Sequence, residues 1–353
     1  MSGRQQHYIP QLLQRNFAFK QSGDEFHVYV HRKGSAKAFA ANTRGVGQQR
    51  DFYGTPENPE TDDAITRTES RLAEILRALN GRDPGSVPSR NIGLLIAALS
   101  MRTKAMRQTL EELVPAVLEA AKARIPDEAT SRTLLQRHFS DEKQRDEAID
   151  RELRNHPEWN HRQRRRARKF VQSQWGSEYR KNENQYVSEF AILLAEGMEH
   201  LRASAAAVGN RAFLQALSRD PNMPERTARF AGFEFGVLNT NAGEPFILGD
   251  CVAFAIYTDG EARLALADLD DKVRIQGLVL PISPTRCVVD RTPDNKCEVP
   301  VGEINRMSAS LSLELFISNM PECETTRSLH RLIGTSVPYS TDEALIQLLS
   351  ENE

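Results

Sequence analysis

The opening residues place a histidine, a phenol and an amide within five positions. His7, Tyr8 and Gln11 stand in the segment His-Tyr-Ile-Pro-Gln. Polar side chains this close together can converge on one ligand, and Pro10 suits the first turn of a helix. The alternative interpretation is structural: Tyr8 and Phe17 anchor the core and His7 caps the helix. The sequence leaves both interpretations open.

The opening motif His-Tyr-x-Pro-Gln-x-Leu-x-x-x-Phe at residues 7–17 resembles the start of a bacterial and fungal family catalogued as domain of unknown function 4238. Other segments resemble the same family in the same order, and together they cover most of the chain. These are residues 28–30, residues 51–53 with Tyr53, Glu69, residues 101–103, residues 246–250, residues 280–284, and a helix that begins near Asn305. The family name supplies no activity, so the resemblance implies positions and no reaction.

One matched segment departs from the family pattern. Where the family is expected to have Ser-Asp-x-Pro after a strand, this chain has Gly-Asp-Cys-Val at residues 249–252. The hydroxyl and the proline are missing, whereas Asp250 is retained. If the hydroxyl is a nucleophile in the family, this chain cannot use it. If function requires only the carboxylate, this chain retains the site.

Four matched positions have side chains suited to chemistry, namely His7, Glu69, Arg102 and Asp250. One histidine with two carboxylates and a cation can bind a divalent metal and a phosphate. Oxygen ligands suit Mg²⁺ or Mn²⁺, and Arg102 offers a fork for a phosphate. The alternative is a buried ion pair between Glu69 and Arg102 that joins two helices, since buried charges are normally paired.

We expect His7 and Asp250 to meet in space, with Arg102 close by. His7 would stand at the mouth of a short N-terminal helix. Asp250 would stand at the end of a predicted strand, where mixed sheets commonly present ligands. The sequence therefore predicts one site built from residues that lie far apart along the chain.

A basic segment at residues 161–169 is the second candidate for function. It contains six cations, Arg162, Arg164, Arg165, Arg166, Arg168 and Lys169. Such a block can neutralise phosphates, and Phe170, Trp175 and Tyr179 follow closely enough to offer stacking surfaces. The alternative is a solvated helix face that is balanced by the acidic residues between positions 141 and 152. Nucleic acid is therefore one expected partner of this segment.

Several enzyme classes are disfavoured because their motifs do not occur in the sequence. The chain contains no Gly-x-x-x-x-Gly-Lys-Ser/Thr loop, no His-Glu-x-x-His pair and no Gly-x-Ser-x-Gly elbow. Gly45 and Gly47 are not followed by the third glycine of a dinucleotide loop. These observations disfavour kinases, P-loop enzymes, zincins and α/β-hydrolases.

The bulk properties are those of a globular protein. The chain has 353 residues, 39% of them hydrophobic, and a net charge of -2. Its longest apolar run, residues 92–101, is shorter than the roughly 20 residues that cross a bilayer. Four scattered cysteines and an N-terminus without an apolar leader favour a reduced, cytoplasmic location. We expect no membrane span.

The hydrophobic periodicity predicts an α+β fold. An N-terminal hairpin is expected from residues 26–31 and 36–41. Helical spacing follows from residue 63 to about 208, and short β-prone pieces begin after residue 221. We therefore divide the chain into an N-terminal segment (1–60), a helical module (61–208) and a C-terminal segment (209–353). We expect the C-terminal segment to form a mixed β-sheet with flanking helices at 302–313 and 341–349. We also expect it to pack against the N-terminal segment, because a lone hairpin buries too little core.

These features favour a nucleic-acid-directed hydrolase, in the form of a metal-dependent nuclease or a toxin-like effector of bacterial or phage defence. The first alternative is a non-catalytic binding or sensing module, in which the same polar residues form a structural network and the basic helix docks a partner. The second alternative is a small-molecule enzyme unrelated to nucleic acid. Proximity of the four polar residues in one open pocket would favour an enzyme.

Overall fold

A computed structural model of the chain describes residues 4–54, 60–112, 115, 128–218, 227–228, 230, 232–241, 243–265, 275–291 and 299–336. These residues form an α+β fold of helices and three antiparallel sheets. The chain divides into two compact units. We call Met1–Val114 with Ala206–Glu353 the sheet unit, and Pro115–Ala205 the helical unit.

Strands are numbered in chain order over the described residues. They are β1 Gln5–His7, β2 Lys20–Ser22, β3 Glu25–Arg32, β4 Phe39–Asn42, β5 Gln48–Arg50, β6 Phe235–Asn239, β7 Leu248–Gly249, β8 Phe254–Tyr257, β9 Ala262–Leu264, β10 Ile275–Ser283, β11 Arg286–Asp290 and β12 Leu315–Ser318. Helices are numbered in the same way. They are α1 Gln11–Gln14, α2 Glu60–Leu79, α3 Ser89–Met101, α4 Glu128–Ser140, α5 Glu142–Arg154, α6 His161–Lys181, α7 Glu183–Ser218, α8 Val301–Leu311 and α9 Glu324–His330. Residues 104–112 are also helical.

Strands from both ends of the chain share one sheet. Its order is β2-β3-β12-β7, and β4 pairs with β3 as the predicted hairpin. Strand β12 lies antiparallel to β3, with Ile317 opposite Val30. Both side chains are fully buried, so the pairing contributes to the main core. A further pair, β1 with β5, carries His7 opposite Gln48.

The second large sheet follows the order β6-β11-β10-β8-β9. The predicted mixed sheet is antiparallel at every described pairing. The connections explain the difference, because only two residues separate β10 from β11, and so short a link joins antiparallel strands. Residues 277–282 of β10 are all buried, as expected for a strand covered on both faces.

Helices α2 and α3 position two of the predicted site residues. Helix α2 buries an apolar stripe of Ile65, Leu72, Ile75, Leu76 and Leu79, as its periodicity predicts. Helix α3 ends at Met101, and residues 102–103 separate it from the helical residues 104–112. The hydroxyl of Thr103 accepts a hydrogen bond from the backbone N–H of Met106, which caps the next helical segment.

The helical unit contains α4, α5 and α6 with the first part of α7. Asp141 caps α5, because its carboxylate accepts the backbone N–H groups of Lys143 and Gln144. A small core of Leu135, Tyr179 and Val187 packs the helices together. None of the described helices is both long and apolar enough to span a membrane. The helix predicted at 341–349 lies outside the described residues.

His31 is a buried histidine in the sheet that joins the two ends of the chain. Its ring is fully buried and stacks on Phe316 with the ring centres 4.4 Å apart. Burial, followed by the nearby charge of His330, lowers the pKa of His31 to about 4. The unfolded chain binds this proton near pH 6.5, well before the folded chain does. Acid therefore favours the unfolded state over this window.

Lowering the pH from about 7 to about 5 is expected to reduce the free energy of unfolding by about 2 kcal/mol through His31 alone. The measurement compares denaturant unfolding of the parent and of His31→Phe at both pH values, so that all other titrating groups cancel. Phenylalanine keeps a ring to stack on Phe316, and Ser318 keeps its hydrogen bond to the carbonyl of Met320. The same pH dependence in both proteins would contradict the assignment.

Candidate functional site

His7 ends strand β1 and is only partly buried. Its Nδ1 lies 3.1 Å from the carbonyl oxygen of Val46. A carbonyl can only accept, so Nδ1 carries the proton and Nε2 carries the lone pair. Burial lowers the pKa of His7, which keeps the ring neutral, and the charge of Arg102 lowers it further. In the described part of the chain Nε2 has no hydrogen-bond partner.

Arg102 follows the last residue of α3, and only 4% of its surface is exposed. Its Nη2 donates to Glu69 Oε1 at 2.9 Å and lies 3.4 Å from the carbonyl oxygen of His7. Its Nε lies 3.4 Å from the hydroxyl of Tyr53. The ion pair that the sequence suggested between Glu69 and Arg102 is therefore present. The buried Nη1 has no partner among the described residues.

Tyr53 links Arg102 to strand β1 through hydrogen bonds. Its hydroxyl lies 3.1 Å from the carbonyl oxygens of both His7 and Arg102, and it can donate its proton to either. Burial raises the pKa of Tyr53, so the hydroxyl stays protonated. Gln6 accepts the backbone N–H of Tyr53 at 2.6 Å and donates to the carbonyl of Gly54. We call His7, Tyr53, Glu69 and Arg102 the His7 cluster.

Asp250 follows strand β7 and is almost fully buried, with 1% of its surface exposed. Its carboxylate accepts the backbone N–H groups of Leu313 and Glu314 at 2.7 Å and of Leu315 at 3.1 Å. Burial raises the pKa of Asp250 to about 6, although the three backbone donors act in the opposite direction. Among the described residues no hydrogen bond or ion pair joins Asp250 to His7.

Residues 313–315, whose backbone binds Asp250, contact the opening motif through Glu314. Tyr8 donates its hydroxyl to Glu314 Oε2 at 3.3 Å, and Lys104 Nζ lies 2.6 Å from Glu314 Oε1. The ammonium of Lys104 also lies 5.3 Å from the centre of the Tyr8 ring. The structure thus brings four predicted residues, His7, Tyr53, Glu69 and Arg102, together in the His7 cluster, while Asp250 binds the backbone of residues 313–315.

The two remaining predicted residues make structural contacts. Gln11 begins α1, and its side-chain oxygen accepts from Arg15 at 2.7 Å. Asn305 lies in α8, accepts the backbone N–H of Ile247 at 3.0 Å and donates to the carbonyl of Pro245 at 2.9 Å. The Asn305 amide is buried and holds the chain just before β7. Asn305 therefore supports the strand that leads to Asp250.

The basic segment forms the first part of α6, and its six cations divide into two groups. Arg168 pairs with Asp150 at 3.1 Å and with Asp146 at 3.5 Å, as the solvated-face interpretation expects. Arg164 donates to the carbonyl of His156 at 3.1 Å. The other four side chains are exposed. They are Arg162, Arg165, Arg166 and Lys169.

A divalent metal does not fit the described residues. No group of three or more histidine, cysteine, aspartate or glutamate side chains is arranged to hold an ion in the part of the chain that the structure describes. Of the predicted ligands, Glu69 has its Oε1 engaged by Arg102. The described residues therefore do not supply the Mg²⁺ or Mn²⁺ ligand set expected from the sequence.

Sequence reasoning missed three groups that shape the site. Gln6 precedes the motif and holds Tyr53, the Val46 carbonyl fixes the tautomer of His7, and Lys104 binds Glu314. The charge of Lys104 two positions after Arg102 was a visible signal. The Val46 contribution was not visible, because every residue carries a backbone carbonyl.

The profile of a family described as protein of unknown function, DUF4238, matches residues 5–298. This range includes the His7 cluster, Asp250 and the basic segment. Strand β12 and Glu314 lie beyond it. No curated protein and no solved structure matches the chain.

Proposed function

The chain belongs to the DUF4238 family, whose description states no activity, and we propose from the geometry of the His7 cluster that the protein hydrolyses phosphodiester bonds of nucleic acid with His7 as general base. The observation that carries the proposal is the tautomer of His7. Its Nδ1 is held by Val46, and its Nε2 lone pair is unoccupied beside a buried guanidinium. A neutral, oriented imidazole of this kind is the commonest general base in proteins.

In the proposed reaction Nε2 of His7 removes the proton from an attacking hydroxyl or water. The new oxygen–phosphorus bond forms as the bond to the leaving oxygen breaks, and the leaving oxygen takes a proton from solvent. The imidazolium that results is stabilised by the Glu69 carboxylate, which favours the charged form of His7. The positive charge of Arg102 favours the negative charge that develops on the phosphoryl oxygens.

The choice of nucleic acid as substrate is supported by the basic segment. Arg162, Arg165, Arg166 and Lys169 are exposed on α6 and can neutralise backbone phosphates. Such contacts carry affinity without sequence preference, as expected of an enzyme that acts on the backbone. The toxin-like role in bacterial or phage defence belongs to the same proposal.

A second candidate function is a non-catalytic binding module. Two observations favour it: three protein groups already engage the Arg102 guanidinium, and three backbone N–H groups occupy Asp250. In this case the His7 cluster is a structural network and α6 alone binds the partner. The two candidates differ in one outcome, which is whether the bound nucleic acid is cut.

The test incubates the full chain with end-labelled single-stranded and double-stranded DNA and RNA. It is run with a chelator and again with added Mg²⁺ or Mn²⁺. Fragments that accumulate with the parent and not with His7→Gln support the proposal. Binding of any of these nucleic acids without fragments under every condition would leave the binding module as the function.

Glu69→Gln is expected to move the acid limb of the pH–rate profile to lower pH. The Glu69 carboxylate raises the pKa of His7, so its removal lowers that pKa, and the base stays unprotonated in more acidic solution. Glu74→Gln is the matched control, because Glu74 is exposed on the same helix. A limb that moves to higher pH, or that moves equally in both variants, would contradict the role given to Glu69.

A further inference from the structure

A pocket of about 620 Å³ lies within the helical unit, between the end of α5 and the start of α6. Pockets of this size hold small ligands. Its lining of acidic and basic side chains comes from both helices. These residues are Asp150 and Arg154 of α5 and His161, Arg164, Arg165 and Arg168 of α6.

The charges around this pocket do not balance. Four guanidinium groups face one carboxylate, and that carboxylate, Asp150, is already paired with Arg168. Arg164 donates to the backbone carbonyls of His156 and Pro157, and the carboxylate that its charge acts on, Glu158, is outside the pocket lining. Arg154 and Arg165 are exposed and have no ion pair in the described part of the chain. The pocket therefore holds an excess of positive charge in a concave site.

We infer that this pocket binds a phosphate group that ends a chain, a phosphomonoester. Such a group carries nearly two negative charges and three acceptor oxygens, which match guanidinium forks approaching from two sides. A flat basic surface would neutralise any phosphate along a nucleic acid backbone. Arg154 and Arg165, brought together from different helices, instead concentrate donors at one point. The volume leaves room for the adjoining nucleoside.

The phosphomonoester has two sources, the end of a nucleic acid strand and a free nucleotide. The inference rests on the proposed function only for the choice of the strand end as the principal ligand. It concerns binding in the helical unit and uses no residue of the His7 cluster. Binding is therefore measured both in the parent and in the His7→Gln background, where cleavage does not consume the probe.

The experiment measures the affinity of the full chain for a short labelled oligonucleotide with either a 5′-phosphate or a 5′-hydroxyl. We expect the phosphorylated probe to bind about tenfold more tightly. Arg154→Glu and Arg165→Glu should each abolish this preference. The matched controls are Arg151→Glu on α5 and Arg166→Glu on α6, which change exposed arginines outside the pocket lining. Both controls should keep the preference.

Equal affinity for the two probes, with equal losses in all four variants, would overturn the inference and leave a diffuse basic face. Competition by a nucleoside triphosphate or by inorganic phosphate separates the sources of the ligand. If the triphosphate displaces the probe at lower concentration than the phosphorylated strand does, the pocket is a site for free nucleotides. Loss of cleavage in His7→Gln with the preference intact shows that the two sites act separately.

Discussion

Replacing His7 with glutamine is expected to lower the rate of phosphodiester hydrolysis by about two to four orders of magnitude, the contribution of a positioned general base. Glutamine can still donate to the Val46 carbonyl, so the local hydrogen bond is retained. What disappears is the basic Nε2, whose lone pair has no hydrogen-bond donor among the described residues. The loss should therefore fall on kcat and leave KM nearly unchanged.

Stability separates this role from a structural one. His7 makes one side-chain hydrogen bond in a partly buried position, so the substitution should change the free energy of unfolding by about 1 kcal/mol or less. His200→Gln is the matched control, because His200 is exposed on α7. A His7→Gln variant that cleaves at the parent rate would remove His7 from the chemistry. A variant with a large loss of stability would assign it to the scaffold.

The pH dependence of the parent gives an independent check on the same group. Burial lowers the pKa of His7. A general base works only when it is unprotonated, so the rate should fall with acid below this lowered pKa and not at the ordinary histidine value. A rate that rises as the solution becomes more acidic would assign His7 to the opposite role, that of an acid.

Local periodicity was enough to predict α2 and β3, but it did not predict β1, which carries His7. The spacing of Ile65, Leu72 and Leu79 indicated α2, which carries Glu69 on the same side, four residues after Ile65 and three before Leu72. The alternation in residues 26–31 indicated β3. Both signals are local, because one face of each element is buried and the pattern repeats with the geometry of the backbone.

Strands β11 and β12 were not predicted. Strand β12 is the four-residue run Leu-Phe-Ile-Ser, buried on both faces, and so short an apolar run cannot be told from the continuation of a helix. Its partner β3 lies near the other end of the chain. Pairing over such a separation leaves no local pattern, which is why the sheet joining the two ends became visible only in the structure.

The grouping of His7, Glu69 and Arg102 followed from family resemblance rather than from spacing. The hydrogen-bond partners of Asp250 could not be predicted in this way. Its partners are backbone N–H groups of residues 313–315, and backbone groups carry no sequence signature. A sequence therefore does not distinguish a buried aspartate that orders a backbone segment from an aspartate that takes part in chemistry.

Asp250→Ala is expected to lower the free energy of unfolding by about 3 kcal/mol or more, since it leaves three backbone N–H groups without their acceptor in a buried site. Asp250→Asn should recover part of this loss, because it retains one acceptor oxygen. Asp259→Ala is the matched control. Asp259 is exposed, accepts the backbone N–H of Glu261 in a turn, and should cost less than about 1 kcal/mol when removed.

The same variants decide whether Asp250 acts on the substrate or on the fold. Asp250 holds the backbone of Glu314, and Glu314 binds Tyr8 and Lys104, so the effect of Asp250 on the opening motif is transmitted through that segment. Folded Asp250→Asn should accordingly cleave within about tenfold of the parent rate while it melts at a lower temperature. Denaturant unfolding and cleavage are measured on one preparation, with activity expressed per folded molecule. If Asp250→Asn keeps the parent stability and loses cleavage to the same extent as His7→Gln, then Asp250 belongs with the reacting groups, and the backbone contacts serve to orient its carboxylate.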